Sequence, residues 1–395
     1  MQISLRNLLR RVRQEPPEQK ASRTGALLAL FTEGRARWTP RDYAQLAREG
    51  YQRNPVAYRC VRMVAEAIAG LPLVLMQGAR ELDAHPLLDL LARPNPRQAG
   101  AELLESVAGF LLVSGNAYLE LVSVAGAPRE LHALRPDRMK LVPGAEGWPE
   151  SYEYSVAGRS VRFDMRETPP PILHFSLFHP SDDHYGFAPL EAAGTALDVH
   201  NAAAAWNKAL LDNAARPSGA LVYSAGGGNL SEEQFERLKQ ELEGNFQGAA
   251  NAGRPLLLEG GLDWKALSLS PKDMDFIEAK NAAAREIALA FGVPPMLLGI
   301  PGDNTYANYA EANRALYRQT VLPLAGRIFD ALAAWLAPAF AAAPIREGPG
   351  LRLVPDLDQV SALASERESL WKRVNEADFL TDDEKRAAVG YGPQG

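Results

Sequence analysis

Residues 190–215 hold ten alanines in 26 positions and no proline. A run of that composition favours helix over any other local structure. As one continuous helix it would span about 39 Å at 1.5 Å per residue. Leu190, Leu197, Ala204 and Leu211 recur every seven residues along it. Short side chains let a second helix approach closely, so the run calls either for a core around it or for partner helices beside it. Both readings fit the pattern.

The rest of the chain arranges itself around this element. At about 150 residues per domain, 395 residues make two or three modules. Residues 1–24 carry Arg6, Arg10, Arg11 and Arg13 and then a polar, proline-containing linker. Thr39-Pro40 reads as a helix start, and Asn54-Pro55 as another, with Val56, Cys60, Val61, Val64 and Ile68 at helical spacing up to Gly70. Leu71–Met76 reads as a strand, Leu87–Leu91 and Leu103–Leu112 as helices, and Ala117–Val124 as an alternating strand. From there to Phe178 the segment is β-rich and broken by prolines. After Pro217-Ser218-Gly219 comes a small strand–helix–strand unit: Ala220–Tyr223, a capped helix Ser231–Leu242, Arg254–Leu258, and a further strand near Trp264–Leu269. A second long helix is expected from Asp273 to Phe291. A polar loop over 299–308 follows, and then a third long helix to Leu336, kinked at Pro323. Leu351–Val354 reads as a strand, and 361–389 as helical with a second start at Thr381 and Glu384.

Composition narrows the chemistry. Forty-two basic against 48 acidic residues give a net charge of −6. A tight nucleic-acid binder draws its affinity from phosphate neutralisation and carries a basic excess, which this chain lacks. The single cysteine, Cys60, cannot form an internal disulfide. The longest apolar stretch, residues 331–345, contains Pro338 and Pro344 and falls short of the ~20 residues of a membrane span, so no membrane partner is expected. No G-x-x-x-x-G-K-[ST], G-x-S-x-G, H-E-x-x-H or paired C-x-x-C occurs. The one cluster that resembles a metal site is His174, His179, Asp182, Asp183 and His184. Its His-x4-His-x4-His spacing suits no single helix face, and Pro180 interrupts it.

Several local signatures nevertheless occur in a fixed order. They are NPVAYRCVRMVAEAIAGLPL from Asn54, His85-Pro86-Leu87 with Pro94-Asn95-Pro96, and Ser114-Gly115-Asn116-Ala117-Tyr118. Next come Tyr185-Gly186-Phe187-Ala188-Pro189-Leu190, Asn251-Ala252-Gly253-Arg254-Pro255 with Leu258-Glu259-Gly260, and Phe276-Ile277-Glu278. The series ends with Phe291-Gly292-Val293-Pro294-Pro295, Leu298-Gly299 and Asn304-Thr305-Tyr306-Ala307-Asn308, plus the tail Leu380-Thr381-Asp382-Asp383-Glu384-Lys385-Arg386 and Gly390-Tyr391-Gly392-Pro393. In this order the chain resembles the portal proteins of tailed double-stranded-DNA bacteriophages of the long-tailed type, a family that extends to gene transfer agents.

The resemblance implies an α+β, helix-dominated fold with a wing (25–189), a stem of two helices (190–217 and 272–298), and an α/β clip inserted between them (218–271). A tunnel loop (299–308), a long kinked helix with a strand returning to the wing (309–360) and a short helical crown (361–395) complete it. It implies a dodecameric homo-oligomer, a ring at one capsid vertex through which double-stranded DNA is packaged and ejected. The implied partners are the major capsid protein, the terminase large subunit and the head–tail adaptor. The implied location is a virion or phage-like particle assembled in the bacterial host cytoplasm. No cofactor and no catalytic residue is implied, since hydrolysis in the family belongs to the separate terminase.

Asp303, Asn304, Thr305, Tyr306 and Asn308 would line the channel, and Lys208, Lys280 and Arg285 would be stem contacts to DNA. In the clip, residues 220–270 carry four basic and seven acidic side chains, and Glu232, Glu233, Glu236 and Glu243 would form its partner-binding face. Two readings from other classes stay open on sequence: a metal-dependent hydrolase built on His174, His179 and Asp182, and a structural adaptor with no channel.

Overall fold

The computed structural model describes residues 43–145, 148–212, 219–223, 231–233, 236–237, 262–266, 276–301, 306–340 and 350–392. The basic arm, the Thr39-Pro40 helix start, the strand expected at 254–258 and loop residues 302–305 lie outside them.

Helix α1, Pro55–Ala69, starts where the sequence places it. Asn54 Oδ1 accepts from the Val56 and Ala57 N–H groups at 3.0 and 3.1 Å, and Pro55 occupies the first turn, where its missing N–H costs nothing. Its face of Ala57, Cys60, Val61, Val64, Ala65 and Ile68 is buried. Helix α2 covers Pro86–Ala92, with His85 Nδ1 accepting from the Leu87 N–H at 3.1 Å. Helix α3, Gly100–Ser114, lies along α1 and ends at Gly115, whose φ of +73° is the left-handed cap that only glycine adopts without strain.

Three small antiparallel sheets surround these helices. Strands β1 (Leu73–Gln77) and β2 (Arg80–Leu82) form a hairpin, and β11 (Leu351–Pro355) returns nearly 280 residues later to pair with β1, Leu75 opposite Leu353. Strands β3 (Asn116–Val124), β4 (Ala127–Leu134) and β8 (Ile172–Ser176) form a second sheet in the order β4-β3-β8. Strands β5 (Met139–Pro143), β6 (Pro149–Val156) and β7 (Arg159–Asp164) form a third. Between the last two sheets sits a satellite core of Tyr118, Leu134, Met139, Leu141, Tyr152 and Ile172.

The alanine-rich run departs from expectation. It is not one helix. A single turn at Pro189–Ala192 ends at Ala193, where ψ is −1°, and helix α4 restarts at Gly194 and runs to Asp212. Gly194 has neither side-chain contacts to hold the turn nor helix propensity to carry it through. The heptad stripe fails for a second reason: a straight α-helix drifts about 20° per seven residues against a 3.5-residue repeat. Leu197 is buried, but Ala203 is buried in place of Ala204, which is exposed. Helix α5, Phe276–Ala290, packs along α4 and buries Ala283, Ala284, Ile287 and Ala288. The expected clip strand at Trp264–Leu269 lies at Leu262–Ala266 (β10), paired antiparallel with β9, Gly219–Tyr223.

The third long helix is three pieces: α6 (Tyr306–Leu316), a π-helical turn (Tyr317–Val321) and α7 (Leu322–Phe340). Pro323 has no N–H for the Gln319 carbonyl, and its ring would crowd that carbonyl. The widened turn just before it relieves both. Helix α6 begins three residues inside the expected 299–308 loop, so Tyr306, Ala307 and Asn308 are helical. The alanine-rich sequence from Tyr306 to Leu316 contains no glycine or proline to stop the helix there. Helix α7 buries Ile328, Phe329, Leu332 and Leu336 in the main core, and Trp335 Nε1–H donates to the Pro170 carbonyl at 2.8 Å. Helices α8 (Ala364–Asn375) and α9 (Asp382–Val389) close the described chain.

Candidate functional site

The histidine cluster that suggested a metal is taken apart by the fold. His174 is on β8 with its ring stacked on Tyr118 at 4.3 Å between centroids. Its Nε2–H donates to Asn116 Oδ1 at 3.0 Å, and its Nδ1 accepts from the Tyr152 hydroxyl at 3.2 Å. Both ring nitrogens are therefore occupied by protein. Burial lowers its pKa to about 4, with His184 adding in the same direction. Burial also pushes the Tyr152 hydroxyl up to about 12. His179 Nδ1 accepts from the Ser181 N–H at 3.1 Å, and Asp182 Oδ1 accepts from the His184 and Tyr185 N–H groups at 2.8 and 2.9 Å. Among the described residues no three His, Cys, Asp or Glu side chains gather to hold a metal ion. The three residues of the hydrolase reading, His174, His179 and Asp182, are each engaged by neighbouring protein groups. Cys60 is buried in α1, and its thiol is pushed up to about 12 by that burial, which disfavours the thiolate a nucleophile needs.

What His174 belongs to is a clasp. Asn116 Oδ1 also accepts from the Gly186 N–H at 2.8 Å, while Asn116 Nδ2 donates to the Gly186 and Ser114 carbonyls at 3.3 and 2.9 Å. A Cβ on Gly115 would stand 2.4 Å from the Gly186 carbonyl oxygen, and one on Gly186 would stand 2.1 Å from that of Gly115. Ser-Gly-Asn-Ala-Tyr and Tyr-Gly-Phe-Ala-Pro-Leu are two halves of one backbone crossing, and only glycines permit it. The clasp sets the start of the Pro189 turn, which leads into α4.

The cations on α4 and α5 divide. Arg285 Nη2 donates to the Pro301 carbonyl at 2.7 Å, which ties α5 to the segment after Gly299. Lys208 on α4 is exposed and Lys280 on α5 is half-buried, and both line one cavity with Arg53 and His200. The loop is framed at its start. Gly292, φ +64°, ends α5, and the Thr320 hydroxyl of the π-helical turn donates to the Gly292 carbonyl at 2.7 Å. A Cβ on Gly292 would lie 2.5 Å from that hydroxyl oxygen. Gly299, φ +70°, then caps the 3-10 turn Pro295–Leu298. Asp303, Asn304 and Thr305 lie outside the described residues, and Asn308 is exposed on the first turn of α6. Glu232, Glu233 and Glu236 are exposed at helical positions, and Glu243 lies outside the described residues.

Two polar nodes escaped the sequence reading. Asn54, marked there only as a cap, also donates from Nδ2 to His200 Nδ1 (3.1 Å) and to Asn201 Oδ1 (2.9 Å), bonds that join α1 to α4. Asp358 accepts from Arg367 Nε and Nη2 at 2.5 and 2.9 Å, from Trp371 Nε1 at 3.3 Å and from the Tyr391 hydroxyl at 3.0 Å. The Arg367 hydrogen bonds, followed by those from Tyr391 and Trp371, hold its carboxyl below the ordinary range. This node fastens the last helices beside β1 and β2. No motif spacing marks either node: the partners of Asn54 lie 146 and 147 residues away, and those of Asp358 lie 9, 13 and 33 residues away, at no helical or strand period.

Comparison with known proteins places these features. The family model for phage portal protein matches residues 55–390. An uncharacterised protein of Rickettsia bellii (strain RML369-C) is 43% identical over 346 residues, 87% of this chain and 88% of its own. A probable portal protein of Streptomyces phage phiC31 is 28% identical over 374 residues, which cover 90% of this chain and 76% of that protein. Among solved structures, a chain from the neck of a native gene transfer agent particle, computed with C12 symmetry, is 57% identical. That match covers 94% of this chain and 99% of the other, with a TM-score of 0.69. The matched span takes in the clasp, helices α4 and α5 and the 299–308 segment, and the chain belongs to the phage portal protein family.

Proposed function

We propose that this chain is the subunit of a twelve-fold ring at one vertex of a phage-like particle, in which double-stranded DNA passes through the axial channel during packaging and delivery. The observation that carries the reading is the 57% identity, over nearly the whole of both chains, to a chain in a gene transfer agent neck solved with C12 symmetry. A gene transfer agent is accordingly the particle type favoured over a phage. The paired stem helices support it. They leave Val199, Trp206, Ile277 and Leu289 exposed, the last two by more than 70%, and neighbouring copies in a ring would cover such groups.

In this reading residues 25–189 and β11 form the wing against the major capsid protein. Residues 218–271 are the clip that docks the terminase large subunit and later the head–tail adaptor, with Glu232, Glu233, Glu236 and Glu243 on its outer face. Asp303, Asn304, Thr305, Tyr306 and Asn308 touch the duplex as neutral or acidic groups, which suit sliding better than arginines do, because each phosphate neutralised adds holding energy. Arg285 positions the loop's base through Pro301, and Lys208 and Lys280 supply weak phosphate contacts. The ring assembles in the bacterial cytoplasm and hydrolyses nothing itself.

The test is a particle made with Asp303–Tyr306 shortened. Rings should form as before while DNA packaging or retention falls. Particles that package and hold DNA at the wild-type level would remove the loop from the account.

A further inference from the structure

The joint between α4 and the start of α1 contains a cavity of about 370 Å³, and Lys208 and Lys280, proposed above as phosphate contacts, both line it. Its floor is set by a chain of assigned hydrogen bonds. Asn54 Oδ1 is taken by two backbone N–H groups, so its amide can only present Nδ2 to the stem. Nδ2 donates to His200 Nδ1, which is therefore an acceptor, and the imidazole proton sits on Nε2. Asn201 is used at both ends, accepting from Asn54 and donating to the Glu49 carbonyl at 2.9 Å.

His200 is only 4% exposed, and it lines the cavity with Arg53, Pro55, Lys208 and Lys280. The remaining wall is Asn201 and three alanines. The Glu49 carboxylate is engaged by Arg53 at 2.7 Å. The polar groups carried by the lining side chains are an imidazole N–H, two ammonium groups, a guanidinium and the Asn201 amide, whose Nδ2 is already given to the Glu49 carbonyl. No lining side chain offers an uncommitted acceptor. Burial, then the nearby Lys280, keeps His200 from gaining a second proton. It thus serves as a neutral donor among cations rather than as a fourth charge.

We propose that this cavity is an oxyanion site that takes a phosphate group, with His200 Nε2–H and Lys280 as its main donors and Lys208 at its rim. A phosphate there fastens α4, α5 and the Arg53–Pro55 segment to one another. The site is formed within a single chain, so its failure would leave the ring reading intact, and failure of the ring would leave the site intact. The phosphate can be free inorganic phosphate or a backbone phosphate of DNA.

Calorimetric titration of the full chain with inorganic phosphate at constant ionic strength tests it, alongside 15N imidazole spectra. We expect saturable one-site binding that moves the His200 Nε2 resonance. Lys280→Met, at a half-buried helix position that leaves the Asn54 network intact, should weaken binding at least about tenfold, as expected when a charge-assisted hydrogen bond is lost. His200→Gln should weaken it as well, and Lys280→Met alone decides the matter if that variant misfolds. A short duplex that competes with phosphate identifies the backbone as the source, and a duplex that does not compete identifies the free ion. Absence of saturable binding, or affinity unchanged in Lys280→Met, overturns the proposal.

Discussion

At the scale of single residues, the clasp makes the most exacting demands. Asn116 is 7% exposed and uses both ends of its amide on Gly186, Ser114 and His174. Asn116→Ala leaves buried donors and an acceptor without partners, and chemical denaturation should show a loss of about 3 kcal/mol. His174 gives the same site a pH dependence. Its folded pKa, near 4, lies below the ordinary 6.5, so the unfolded chain binds the proton more readily. The stabilisation is complete above pH 6.5 and is lost as pH falls toward 4, with a full amplitude of ~3 kcal/mol. The stability–pH slope in that window should flatten in His174→Gln. Alanine at His174 and His179 together should change folding only. A metal-dependent hydrolysis abolished by that pair would restore the enzyme reading.

At the scale of elements, the lock between α5 and the π-helical turn is the joint through which α5 meets the long helix. Thr320→Val keeps the shape and removes the hydroxyl bonded to the Gly292 carbonyl, which should cost about 1 kcal/mol in thermal unfolding. Its effect on hydrogen exchange should concentrate at 288–301. The clip helix carries a separate expectation: charge reversal at Glu232, Glu233 and Glu236 should weaken terminase binding at low salt, and less so at high salt, while rings still form. Unchanged affinity at low salt would leave that helix a purely local role.

Element ends written in local chemistry were legible in the sequence. Asn54-Pro55, His85-Pro86, Gly115 and the Thr381–Glu384 capping box all stand where the residues announce them, the last with Glu384 Oε2 accepting from the Thr381 N–H at 2.8 Å. The break at Ala193, the early start of α6 and the π-helical turn were not, because a glycine such as Gly194 or a proline such as Pro323 permits a break or a bend without specifying its form, and nothing local marks where a helix begins in the alanine-rich run from Tyr306. The return of β11 to β1 was expected only through the family resemblance. The use of Asn54 by His200 depends on a contact 146 residues away and has no local signature at all.

At the scale of the whole molecule, the exposed apolar groups Val199, Trp206, Ile277 and Leu289 on α4 and α5 agree with the ring proposed above, in which each subunit needs a flank that a copy of itself will cover. That ring has to close. Single-particle mass and imaging of the purified chain, across protein concentration and at low and high salt, test that most directly. The account predicts closed rings with a central hole and a mass near that of twelve 43.0 kDa subunits, about 516 kDa. A 43.0 kDa monomer under every condition would contradict it.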